Sequence, residues 1–67
     1  MKLSARNVLK GKVSGVTKGK TTATVKLKVG DADITASITM EALKELKLKK
    51  GDTAFAVIKA SDVIIGK

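Results

Sequence analysis

Residues 22–29 read Thr-Ala-Thr-Val-Lys-Leu-Lys-Val, with an apolar side chain at every second position and a polar one between. A period of two belongs to an extended strand with one face buried and the other in water. Such a strand is not stable alone: it needs neighbours that cover its apolar face. This chain has 67 residues from which to supply them. That length allows one small domain, 1–67, and no linker, low-complexity tract or internal repeat divides it.

The rest of the chain supplies those neighbours. Residues 2–16 read as a long first strand, in which Gly11 and Gly15 permit a bend or bulge. Thr17–Lys20 reads as a turn, and so does Gly30-Asp31, which leads into a third strand with Ile34, Ala36 and Ile38 inward. At Thr39 the period lengthens. Met40, Leu43 and Leu46 recur at helical spacing, Thr39 suits the N-cap, and Glu41 suits the positive end of the helix dipole. Glu41 and Lys44 are spaced to pair on the outside, and Gly51 is expected to end the segment. Residues 53–59 and 62–65 read as a fourth and a fifth strand. The expected fold is therefore all-β: a five-stranded OB-like Greek-key barrel with one short helix between strands 3 and 4.

The last two strands differ from residues 22–29. Ala54, Ala56 and Ile58 fall on one face and Phe55 and Val57 on the other, while Val63-Ile64-Ile65 is continuously apolar. A domain this small has one core, so a second apolar face implies a subunit interface. Size points the same way. The chain has no cysteine for a disulfide and no histidine for a zinc site, which leaves self-association as the extra source of stability.

Fourteen cations against six carboxylates give a net charge of +8. Such a surface attracts anions. A basic OB-type nucleic-acid-binding module is one reading, but Phe55 is the only aromatic residue, whereas single-strand binders stack bases on several. Nucleic acid is accordingly not the expected partner. No stretch is long and apolar enough for a membrane span or a signal peptide, so a cytoplasmic protein without a membrane partner is expected. Lys59 and Ser61 are the one candidate base–nucleophile pair, and nothing in the sequence activates them. The expectation is a protein that is not an enzyme and has no cofactor and no free metal cation.

Donors for an oxyanion are better represented. A tetrahedral dianion needs hydroxyls, amides and cations converging from several directions. Ser4-Ala5-Arg6-Asn7 holds the single arginine, Lys59-Ala60-Ser61-Asp62 lies where the fourth strand is expected to turn into the fifth, and Thr39 stands at a helix N-terminus. Each also has an ordinary structural role, as strand end, turn former or cap.

Taken together, the SARN block, the Gly11-Lys12-Val13 step, the Thr-capped ITMEALKELKLKKGD segment and the final FAVIKASDVIIG resemble the molbindin family. These are small molybdate-binding proteins, also called Mop, built from a TOBE-type domain. The resemblance covers nearly the whole chain. It implies a hexamer assembled as a trimer of dimers, with oxyanion sites between subunits, and a role in storing molybdate or tungstate. By motif, it implies that Ser4 and Arg6 contact the anion from one subunit. Lys59, Ala60 through its backbone, and Ser61 would close the site, with Thr39 adding a hydroxyl or amide. Asn7 is expected to brace the turn. Molybdate is fully ionised near neutrality, so a site made of donors alone suits it.

Overall fold

The computed structural model describes residues 4–67. Its elements run β1 (Asn7–Lys18), β2 (Thr22–Val29), β3 (Ala32–Thr39), α1 (Met40–Leu46), β4 (Thr53–Ile58) and a 3₁₀ turn over Ala60–Asp62. The strands form one antiparallel sheet in the order β3-β2-β1-β4, curled around its inner face.

The β2 alternation holds, with Ala23, Val25 and Leu27 buried. They meet Val13 of β1 and Leu43 of α1 to form the core. Burial of each large member contributes about 1.5–3 kcal/mol. Gly30 adopts φ +58° as the first central residue of the two-residue β2–β3 hairpin, the conformation a type II′ turn requires. In β1 the pairing register slips between Val13 and Gly15, leaving Ser14 as the extra residue of a bulge. Such a bulge strengthens the twist and helps the sheet curl. Gly11 allows the close approach this demands: a Cβ there would collide with the Lys28 carbonyl and the Val29 side chain.

α1 has two turns and plugs one end of the curled sheet. Thr39 caps it, its hydroxyl oxygen accepting from the Ala42 amide at 3.0 Å. Leu43 is buried, and the Met40 amide donates to the Thr21 carbonyl at 3.0 Å. The helix stops earlier than Gly51. Lys47 takes the left-handed conformation at the C-cap, and its amide donates to carbonyls of the last turn. Gly51, at φ +95°, instead lets the chain turn into β4 and donates to the Val13 carbonyl at 2.8 Å.

Several expected boundaries are revised. β1 begins at Asn7 and runs on through Thr17 and Lys18, which pair with Thr24 and Ala23 rather than forming a turn. Residues 2–3 of the expected first strand lie outside the described residues. Ala36 is exposed, because β3 is an edge strand with no neighbour beyond it.

The main correction is the strand count. Among the described residues there are four strands, not five. Residues 60–62 form the 3₁₀ turn, and residues 63–65 join no ladder. Val63, Ile64 and Ile65 are 45%, 93% and 86% exposed. Apolar sequence called for burial, but a strand exists only where another strand offers its backbone. The sheet is correspondingly unclosed. An apolar groove of about 430 Å³ lies between edge strands β3 and β4, with Val25 and Leu27 in its floor, Ile34 and Ile38 on one side, and Phe55 and Val57 on the other.

Candidate functional site

The first and last strands bring two donor blocks together. Asn7 lies opposite Ile58 in the β1–β4 ladder, and its Nδ2 donates to the Ile58 carbonyl at 3.2 Å. This side chain ties the SARN block to the KAS block across 51 residues of sequence. Asn7 thus braces the β1–β4 junction rather than the turn itself.

Ser4 and Arg6 lie just before β1, both exposed. Lys59, Ala60 and Ser61 follow β4 and are exposed as well. The 3₁₀ turn is held by the Asp62 amide donating to the Lys59 carbonyl at 2.9 Å and by Val63 donating to Ala60 at 3.3 Å. An i→i+3 turn leaves the amides of its first residues without acceptors inside it. Ala60 and Ser61 occupy those positions. One end of the sheet therefore carries a guanidinium, an ammonium and two hydroxyls, with turn amides beside them. Every one of these groups can donate. An arginine fork adds bidentate geometry that lysine lacks.

Thr39 is elsewhere. It pairs with Thr22, at the far end of β2 from the turn with β3, and β2 there runs beside Lys18 of β1. β1 has 12 residues from Asn7 to Lys18. At about 3.3 Å per residue, roughly 36 Å of chain contour lies between its two ends, in a molecule whose longest dimension is 34 Å. Of the six candidate residues, the fold brings five to one pole of the chain and leaves Thr39 at the other.

Around Thr39 the structure gathers residues that the sequence pattern did not single out. Lys20, Thr21 and Lys44 line a concavity of about 410 Å³ with Thr39, Met40 and Glu41. The signal was weak: Lys20 reads as a turn residue, Lys44 as the outer face of a helix, and Thr21 falls between the turn and the strand. Thr39 still has its hydroxyl proton to donate, because the cap uses only an oxygen lone pair. Among the described residues, no group of histidine, cysteine or carboxylate side chains is placed to hold a metal ion. None of their helices is long and apolar enough to cross a membrane.

A curled antiparallel sheet with one plugging helix and a pole of anion donors defines a class of small, OB-like ligand-binding domains. The TOBE domain model matches residues 3–65, and the chain belongs to that family. Molybdenum-pterin-binding protein 1 of Clostridium pasteurianum is 48% identical over 66 residues, which cover 97% of each chain. Among solved structures, a molybdate-binding protein from Sporomusa ovata superposes with a TM-score of 0.95 at 31% identity, covering both chains completely. The cytoplasmic molybdate-binding protein ModG, solved with molybdate bound, gives a TM-score of 0.90 at 48% identity. That match covers 96% of this chain and 46% of ModG.

Proposed function

We propose that this chain is a single-domain molybdate-binding protein that stores the oxyanion, or its tungstate analogue, in the cytoplasm without chemical conversion. The observation that carries the proposal is the Asn7–Ile58 junction, which sets Arg6 and Ser4 beside Lys59, Ala60 and Ser61. That donor set suits a fully ionised dianion. Phosphate retains a proton near neutrality and would need an acceptor as well. The names of the relatives, in which molybdate or molybdenum recurs, support the same ligand.

The anion-binding form is a homo-oligomer, a hexamer built as a trimer of dimers. Two features support self-association: an unfilled apolar groove between β3 and β4, and an exposed apolar segment at residues 63–65. Both belong to one chain, so two copies can satisfy each other. The position of Thr39 supports sites shared between copies. Its hydroxyl and the Arg6 guanidinium reach one ion only if they come from different chains.

Calorimetric titration with molybdate, tungstate, sulfate and phosphate tests the ligand. Tight saturable binding of the first two, with much weaker responses to the others, is the expected result. Equal weak responses to all four would refute it. Light scattering tests assembly: six chains of 7.0 kDa give about 42 kDa, and a monomer at micromolar concentration would refute the hexamer.

A further inference from the structure

The lysines of the sheet are not where edge protection would put them. Natural sheets place lysine on edge strands to block edge-to-edge pairing. Here edge strands β3 and β4 carry none, whereas central strands β1 and β2 carry Lys10, Lys12, Lys26 and Lys28. All four are exposed on the outer face. Lys12 lies directly opposite Lys28 in the ladder. Like charges in that relation destabilise a sheet. Lys10 extends the array one repeat beyond this pair, and Lys26 extends it in the other direction.

Across the sheet, the central row runs Thr53, Lys12, Lys28, Asp33. Asp33 is the one carboxylate carried by any strand among the described residues. Thr24, Thr35 and Ser37 add hydroxyls on the same face. The result is a cationic strip bordered by hydroxyls, by Phe55 opposite Lys10, and by a single acid at its margin. On β1 the strip begins at Lys10, four residues beyond Arg6, and it does not depend on the ligand proposed there.

We propose that this outer face docks an acidic protein segment in extended conformation, with carboxylates on alternate residues. Charge complementarity calls for an anionic partner, and the spacing favours an extended peptide. Alternate residues of an extended chain recur about every 6.6–6.8 Å, the repeat that separates Lys10 from Lys12 and Lys26 from Lys28. Phe55, paired with Lys10, is the one aromatic side chain beside this strip, whereas single-strand binders stack bases on several.

The test is fluorescence anisotropy with a labelled peptide of alternating glutamate and threonine, about twelve residues long, added to the assembled protein. The peptide is expected to bind with an affinity that falls as salt rises. Lys12→Thr/Lys28→Thr is expected to weaken binding about tenfold, while the melting temperature at low salt stays equal or rises. Lys12→Arg/Lys28→Arg should retain binding. Lys49→Thr/Lys50→Thr removes the same charge from a loop and should cost much less. Equal losses in the two threonine variants would overturn the proposal, since net charge alone would then explain binding. So would an absence of peptide binding at low salt, or tighter binding of a short DNA duplex than of the peptide.

Discussion

The β1–β2 pair and the nine C-terminal residues are both rich in apolar side chains, yet the fold treats them oppositely. Val13, Ala23, Val25 and Leu27 are at most 6% exposed, whereas Ile64 and Ile65 are 93% and 86% exposed. In β1 and β2 apolar residues alternate with polar ones, and a neighbouring strand lies a short turn away. Residues 63–65 have neither the alternation nor, among the described residues, a partner strand. An apolar run declares that something must cover it. It does not declare that the cover comes from the same molecule.

The largest test of this contrast is Ile64→Lys/Ile65→Lys. Light scattering should show collapse of the oligomer to a smaller species. Circular dichroism should keep its strand signal, because neither side chain belongs to the core of the single chain. Retention of the full oligomer would show that the tail plays no part in assembly. Leu27→Ala is the opposite case, a cavity in the monomer core expected to cost about 2–5 kcal/mol in denaturant unfolding. A cost well below 1 kcal/mol would mean that the site is less tightly packed than its burial indicates.

Arg6→Ala sharpens the contrast at the pole proposed to bind the anion. Loss of a charge-assisted contact costs about 1.5–3 kcal/mol, roughly tenfold or more in molybdate affinity by calorimetry, with the oligomer intact. An unchanged titration would remove Arg6 from the site. The smallest effect belongs to Thr39→Ala, which should lower thermal stability by about 1 kcal/mol through loss of the helix cap. Thr39→Ser should restore it. If Thr39 also reaches an ion bound by another copy, the alanine variant weakens molybdate binding as well.

Much of the fold was legible without coordinates. Thr22–Val29 announced its own buried face, Gly30-Asp31 its turn, and Thr39 with Met40 and Leu43 a short capped helix. Gly15 permits a bulge, and the register slips there. The fifth strand is not found, because residues 63–65 have the composition of a strand but no partner among the described residues. At the candidate site, the two donor blocks could be named from their motifs. That Asn7 joins them, and that Lys20, Thr21 and Lys44 gather beside Thr39, could not.

What the sequence alone determined is local: which residues extend, which coil, which face is apolar, and which side chains can donate to an anion. These follow from periodicity and side-chain chemistry over a few positions. The tertiary structure decided which strands became edges, that β4 returns to β1 with Ile58 against Asn7, and that Thr39 sits at the opposite pole from Arg6. Those relations depend on how far the sheet curls and where its register slips. They join residues up to 51 positions apart, a separation over which hydrophobic periodicity carries no phase.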